Sequence, residues 1–428
     1  MSKPDKITKS VLTCDMEGRI ETFSKGSEEL FGYTADEAIG KLRVSAFSPG
    51  LVVLGHVGGW LKASVKNGTH ETDTVFLRKD GTQFAAHIRI RPTFRNDVQI
   101  GYCGITHALE DRRPDEVMPK ISIATRLLAA LVVTRAPFLT AALVPVAIGA
   151  AWTAAQGTLA SFPWALLAMV AVGAAALHVA ANTFNDYFDW KSGTDQANTE
   201  YFQAFSGGSR SIELGLISLP GLWRLALGAS IIATVIGAAL VYLSGPGIVL
   251  FGLAGLLSAY FYTAPPLRLV ARKGLGELLI GLNFGPLIVG GTVYALTGSV
   301  SALDFAIGLP IGLLTTAILW INEFPDAPSD ASTGKNHLVV VLGRERARWG
   351  YALILAVAFG LTLAAALSGV VPTGVLLAML AAPMAIDATR TLFRHVNDRQ
   401  LVRACVTTIQ LHLVAGVLMT VGMFWGGI

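Results

Sequence analysis

A chain of 428 residues with 53% hydrophobic and only 14% charged side chains, and a mean hydropathy of +0.56, is too apolar for a soluble multidomain protein and reads as largely membrane-embedded. Its net charge of +4 comes with no basic run, so no nucleic-acid partner is expected. Cys14, Cys103 and Cys405 share no metal-ligand or disulfide spacing, which fits a reducing cytoplasm.

Charge divides the chain in two. Residues 1–110 hold 14 Lys/Arg and 13 Asp/Glu, whereas the remaining 318 hold 19 and 16, so a soluble domain precedes a membrane-embedded one. The opening Met-Ser-Lys-Pro-Asp-Lys lacks an apolar signal region, and the N-terminal domain is expected to stay in the cytoplasm. Within it, Val11 to Asp15 and Arg19 to Phe23 read as strands around a turn at Glu17-Gly18, followed by a helical stretch from Ser27 to Phe31. Glu71 to Arg78, Phe84 to Thr93 and Ile100 to Thr106 alternate in strand fashion, with turns at Lys79-Asp80-Gly81-Thr82 and Asn96-Asp97. This is a small α+β module. Its words Asp15-Met16-Glu17-Gly18-Arg19-Ile20, Leu30-Phe31-Gly32-Tyr33-Thr34-Ala35-Asp36-Glu37, Arg78-Lys79-Asp80-Gly81-Thr82 and Ile100-Gly101-Tyr102-Cys103-Gly104-Ile105-Thr106 resemble a PAS domain over nearly all of residues 10–113. The resemblance implies a dimerising or small-molecule-sensing module, with a homodimer as an expected partner and the ligand unknown. The flavin-photosensor word Asn-Cys-Arg-Phe-Leu-Gln is absent, and His56, His70 and His87 lie in no haem helix word. Where such domains often end in Asp-Ile-Thr, this chain has Ala108-Leu109-Glu110.

From Arg112 to Thr134 the chain is polar and then amphipathic, with Ile121, Ile123, Leu127, Leu128 and Leu131 spaced for one face of an interfacial helix. Beyond it, nine apolar runs at 136–156, 162–183, 221–242, 246–263, 276–297, 303–322, 348–368, 371–389 and 403–425 are each long enough to cross the ~30 Å hydrocarbon core. The expected architecture is an α+β PAS-like domain (8–113), an amphipathic linker (114–135) and an all-α polytopic membrane domain of nine transmembrane helices (136–428). Lys and Arg fall in alternate connections, from Arg112, Arg113, Lys120, Arg126 and Arg135 through to Arg390, Arg394, Arg399 and Arg403. By the positive-inside rule that side is cytoplasmic in a cell (inner) membrane, and an odd number of crossings puts Ile428 outside.

Two acid clusters, Asn185-Asp186-Tyr187-Phe188-Asp189 with Asp195 and Asp326-Ala327-Pro328-Ser329-Asp330, end apolar runs on that cytoplasmic side. Ionisable groups at membrane depth are costly unless they face a cavity or a counter-ion. Asn185 and Asp189 are i and i+4, as are Asp326 and Asp330, so each pair shares a helix face. Hard oxygen ligands from two helices, with no His or Cys among them, suit Mg²⁺ with a phosphate-bearing substrate rather than zinc. The plainer alternative is that these acids solvate helix ends or pair with Lys191, Arg210 and Lys335.

The order of motifs carries a second resemblance. Asn185-Asp186-Tyr187-Phe188-Asp189-Trp190-Lys191-Ser192-Gly193-Thr194-Asp195, then Phe205-Ser206-Gly207-Gly208-Ser209-Arg210, Tyr262-Thr263-Ala264-Pro265-Pro266-Leu267-Arg268, and Asn322-Glu323-Phe324-Pro325-Asp326-x-x-x-Asp330 with Gly334-Lys335-Asn336 are similar to motifs of the UbiA superfamily of intramembrane prenyltransferases, in its menaquinone-type 1,4-dihydroxy-2-naphthoate branch. The resemblance covers residues 126–428. It implies that Asn185, Asp186, Asp189, Asp195, Asp326 and Asp330 hold two Mg²⁺ gripping a polyprenyl diphosphate, with Asp186, Asp189, Asp326 and Asp330 catalytic. Asn185, Lys191, Arg210, Tyr262, Arg268, Asn322 and Lys335 are the expected substrate contacts. The implied reaction prenylates an aromatic acceptor in membrane quinone synthesis, regulated by the PAS-like domain, with the lipid bilayer as solvent for the tail. Alternatives are another acceptor (4-hydroxybenzoate, a chlorin or a glyceryl phosphate lipid) or a membrane sensor that binds quinone or isoprenoid without turnover. The second motif departs from the family in Ala327-Pro328 and Ala331. Tyr187, Phe188, Tyr262 and Asn283 could line the acceptor end or anchor the interface. Glu277 could be a base or a helix-start residue, and His412 suits an interhelical hydrogen bond.

Overall fold

A computed structural model describes residues 9–157, 159–202 and 206–426; Phe205 and Ile428, both invoked above, lie outside the described residues. Contacts divide the chain into two units: residues up to Val133 together with Arg210–Ser218, and Thr134–Ser209 with the rest from Leu219.

The first unit is built on a five-stranded antiparallel sheet in the order β2-β1-β5-β4-β3. Its strands are β1 (Lys9–Asp15), β2 (Ile20–Phe23), β3 (His70–Leu77), β4 (Gln83–Arg95) and β5 (Val98–Ala108). Asn96 and Asp97, both at positive φ, make the tight β4–β5 turn that two such residues favour. The helix Ala35–Ala38 starts in a capping box of Thr34 and Glu37. One face of the sheet buries Phe23, Phe31, Phe47, Phe76 and Phe84, with Phe31 and Phe47 stacked at 4.4 Å. Burial pushes the Cys14 thiol up to about 12, which leaves it an inert core residue rather than a redox group. The helix Gly58–Asn67 grows out of a π-helical turn at Val53–Val57 and starts on two glycines, which mask its periodicity in the sequence. In the helix Ile123–Val133, Thr125, Ala129 and Val133 are buried while Ile123, Leu127, Leu128 and Leu131 are exposed.

The second unit is helical, and its helices are numbered from its own start: α1 (Ala136–Ala155), α2 (Trp164–Ser192), α3 (Leu219–Ser244), α4 (Ile248–Phe261), α5 (Leu275–Thr297), α6 (Ala302–Ser332), α7 (Arg344–Leu367), α8 (Thr373–His395) and α9 (Arg399–Gly426). Among the described residues eight of these are long and apolar enough to cross a membrane. The fourth expected run corresponds to α4, whose 14 residues rise about 21 Å at 1.5 Å per residue.

Helices α1, α6, α7, α8 and α9 share the main core around Ile148, Ile311, Ile321, Tyr351 and Leu411. Two polar pairs bridge helices within it: Tyr351 Oη lies 2.6 Å from Thr408 Oγ1, and His412 Nε2 lies 3.1 Å from Thr315 Oγ1, the interhelical role expected of His412. Small residues set the closest approaches. A Cβ on Gly285 of α5 would overlap the Gly308 carbonyl oxygen of α6, and one on Gly312 would overlap the Gly281 carbonyl oxygen. On α3 the residues Leu227, Ile231, Ile232 and Val235 stay exposed, as a lipid-facing surface requires.

Candidate active site

Helix α2 carries Asn185, Asp186 and Asp189 to its C-terminal end, where Gly193 turns the chain at φ +83° into a short helix bearing Asp195. Helix α6 carries Asn322, Glu323, Asp326 and Asp330 to its own C-terminal end, just before Lys335. Lys335 Nζ lies 3.2 Å from Asp189 Oδ2 and 3.8 Å from Asp330 Oδ2, so one ammonium joins the two acid clusters. Burial alone would drive its proton off, but the carboxylates of Asp189 and Asp330 hold the ammonium well above the usual lysine range.

The other acids are placed by backbone and side-chain donors. Arg135 Nη2 donates to Asp186 Oδ1 at 2.6 Å, and Ser209 N–H donates to the same oxygen at 3.3 Å. Asp326 accepts from Asn198 Nδ2 at 2.7 Å and from Gly207 N–H at 2.9 Å. Asn185 Nδ2 donates to Asp189 Oδ2 at 3.1 Å and to Thr263 Oγ1 at 2.9 Å. Gly208 has φ +80°, and a Cβ there would press on Arg135, Asp186 and Asp195 at 3.2 Å, so the loop reaches the acids only as glycine.

Most of these groups border a cavity of about 370 Å³, although Asp186, Ser209 and Thr263 are not among its described lining residues. Asn185, Asp189, Asp195, Glu323, Asp326, Asp330, Arg135 and Lys335 line one end, while Val170, Ile236, Leu240, Phe251, Phe284 and Leu287 line the rest. Val170 and Asp189 sit on the same helix about 28 Å apart at 1.5 Å per residue, so the apolar part runs along much of α2. Among the described lining residues five carboxylates face two permanent cations. Asp186 Oδ2 and Asp189 Oδ1 are buried without a hydrogen-bond partner. Buried anionic oxygens without donors are costly, so this arrangement suits a bound cation. The residues fit a divalent metal of the hard, oxygen-liganded kind.

Of the expected substrate contacts, Asn185, Tyr262, Asn322 and Lys335 line the cavity, and so does Asn283, one of the residues read as able to line the acceptor end. Lys191 is exposed, with its ammonium 5.9 Å from the Tyr187 ring, and it is not among the lining residues. Arg268 is half-buried and also absent from the lining. Arg210 groups with the first unit, where it pairs with Glu213 at 3.3 Å. Tyr187 and Phe188 pack on Trp223 rather than on the cavity. Arg135, read from the sequence only as a positive-inside residue, is the partner of Asp186. A histidine does accompany the acids, contrary to the sequence reading: His337 Nε2 lies 3.0 Å from Asp330 Oδ2. The spacing Asp330 to His337 carries no helical signal, because Gly334, at φ +74°, turns the chain between them.

The UbiA prenyltransferase family matches residues 142–414, well over half of the chain, and a PAS domain matches residues 8–112. The chain belongs to the UbiA prenyltransferase family. It is a multi-pass membrane prenyltransferase that carries an N-terminal PAS domain. It is 31% identical over 260 residues to the 1,4-dihydroxy-2-naphthoate octaprenyltransferase of Haemophilus influenzae, covering 58% of this chain and 81% of that one. It is 26% identical over 322 residues to the 2-carboxy-1,4-naphthoquinone phytyltransferase of Synechocystis, covering 72% and 97%. A UbiA homolog from Aeropyrum pernix has the same fold, with a TM-score of 0.54 at 18% identity over 67% of this chain and 98% of that one.

Proposed function

We propose that the chain transfers a polyprenyl group from a polyprenyl diphosphate to a 1,4-dihydroxy-2-naphthoate-like aromatic acceptor, with Mg²⁺ at the two acid clusters. The observation that carries this reading is Lys335, which lies within ion-pair reach of acids from both α2 and α6 at the mouth of a long apolar cavity. Relatives named as naphthoate and naphthoquinone prenyltransferases supply the acceptor class.

Asn185, Asp186, Asp189, Asp195, Asp326 and Asp330 would hold two metal ions, whose positive charge would offset the charge that grows on a departing diphosphate. Lys335 and Arg135 add positive charge at the same mouth and keep the acids oriented when the ligand is gone. The apolar walls take the prenyl tail and keep water from the allylic carbon while the aromatic carbon attacks it. Membranes given Mg²⁺, labelled polyprenyl diphosphate and candidate aromatics should yield a product whose mass reports tail and acceptor together. No diphosphate release with any pair would show a passive binder instead.

The orientation follows from basic residues at the acid-bearing helix ends, which puts the active-site mouth and the PAS domain in the cytoplasm. In this reading α4 is a ninth crossing, completed by its flanking residues 246–247 and 262–263, and the domain boundaries are those expected above, 8–113, 114–135 and 136–428.

PAS regulation has a physical route in one loop. Gly207 and Ser209 donate to Asp326 and Asp186 within the helical unit, and the very next residues, Arg210–Ser218, pack within the PAS-bearing unit. There Leu214 lies against Gly50 so closely that a Cβ on Gly50 would overlap its carbonyl oxygen. A shift of that loop pulls on donors to two of the acids. Gly50→Val should therefore change the prenyl-transfer rate about fivefold or more, the usual scale of coupling between sites. An unchanged rate in both Gly50→Val and a chain lacking residues 1–115 would remove the regulatory role.

A further inference from the structure

Behind the acid mouth stand Glu277 of α5, Glu323 of α6 and His337, which follows α6, with candidate donor atoms all within 4.8 Å of one another. None belongs to the two Asp clusters. Their exposures are 3%, 6% and 0%. Glu277 accepts the Leu338 N–H at 2.6 Å, and His337 is held by Asp330 at Nε2 and by the Val340 N–H, 3.4 Å from Nδ1. Glu277 Oε2 and Glu323 Oε2 have no hydrogen-bond partner, and Glu323 Oε2 stands 3.5 Å from His337 Nδ1. Of the three, Glu323 is the one that lines the cavity, beside Asn322, Tyr262 and Asn283.

A buried carboxylate oxygen left without a donor is costly, and the cost is removed when a ligand brings the donor. The diphosphate end of the substrate is anionic and cannot serve. A hydroxyl-bearing aromatic ring can.

We infer that Glu323 is a catalytic residue that binds a ring hydroxyl of the acceptor and takes its proton, with Glu277 and His337 as positioning residues. This rests on the prenyl-transfer reading above. As the ring carbon bonds to the allylic carbon, that carbon's bond to oxygen breaks and its electron pair leaves on the diphosphate. The hydroxyl proton passes to the Glu323 carboxylate. When the ring regains aromaticity, the proton of the attacked carbon goes to solvent and Glu323 returns its own to the oxygen. One diphosphate and one proton are released per prenyl group transferred.

The test uses the full chain in membranes with polyprenyl diphosphate and 1,4-dihydroxy-2-naphthoate, following both the aromatic product and diphosphate release. Glu323→Gln should lower aromatic product formation about a hundredfold, the lower range for loss of a general base. Its KM for prenyl diphosphate should stay near wild type, and the diphosphate it does release should appear with prenyl alcohol from capture by water. Glu277→Gln and His337→Gln should raise the acceptor KM more than they lower kcat. If Glu323→Gln does not accumulate, Glu323→Asp keeps the charge and should show the same split in milder form. Parallel loss of acceptor and prenyl diphosphate binding, or full activity in Glu323→Gln, would overturn the assignment. So would a metal ion that is retained by Asp189→Ala/Asp326→Ala and lost on adding Glu323→Gln, because the trio would then be a cation site. A wild-type chain that releases diphosphate without aromatic product would instead overturn the acceptor reading.

Discussion

Asp189→Ala and Asp326→Ala should each lower prenyl transfer by about a hundred- to a thousandfold, the range for losing one preorganised group at developing charge. The two variants approach the site from different helices, so a shared loss is the signature of one ligand gripped from both sides. Their structural consequences differ. Asp189→Ala leaves Lys335 with Asp330 at 3.8 Å as a remaining partner, whereas Asp326→Ala removes the carboxylate that accepts from Asn198 Nδ2 and the Gly207 N–H. Lys335→Met makes the complementary point. It leaves Asp189 and Asp330 without the ammonium they share, and should cost about 3–5 kcal/mol of stability, as breaking a buried ion pair does. Rates in membranes and thermal unfolding in detergent separate the two effects. Full activity in either aspartate variant would remove its metal role.

Gly312→Val should be the most damaging substitution far from the chemistry. Its Cβ would meet the Gly281 carbonyl oxygen, which is backbone and cannot swing aside, and the neighbouring Gly285–Gly308 contact is just as close. Overpacking of a fixed interface costs about 1–3 kcal/mol or more. Helix association in lipid depends on such small-residue contacts, because no hydrophobic gain drives the helices together. The α5–α6 crossing also sets Glu277 beside Glu323. Loss of monodisperse protein, or a lowered unfolding temperature with lost activity, is the expected result. Gly228→Val on α3 is the control, since a Cβ added there would meet no heavy atom within 4 Å among the described residues; it should be nearly silent. Equal behaviour of the two would mean the crossing is not set by these glycines.

Much of this was legible in the residues themselves. Alternation and the Asn96-Asp97 turn marked β4 and β5, and apolar length marked the long helices, because both signals are local. The acids were legible because a carboxylate at a membrane-helix end has few ordinary explanations. The short α4 was harder, since apolar residues on both sides of it, from Gly245-Pro246 to Thr263-Ala264, extend the run beyond the helix. What could not be read is pairing across the fold. Arg135 and Asp186, or Glu323 and His337, meet only after helices cross. Arg210–Ser218 belongs to the PAS-bearing unit, where Leu214 and Leu216 lie close to Gly50, a contact that no local pattern announces.

The most direct test titrates a non-reactive prenyl thiodiphosphate into the purified full chain, with Mg²⁺ and again in EDTA. Convergence of the two acid clusters on metal-bound diphosphate predicts binding with Mg²⁺, none detectable in EDTA, and none in Asp189→Ala/Asp326→Ala under either condition. Binding of equal strength in EDTA would contradict it.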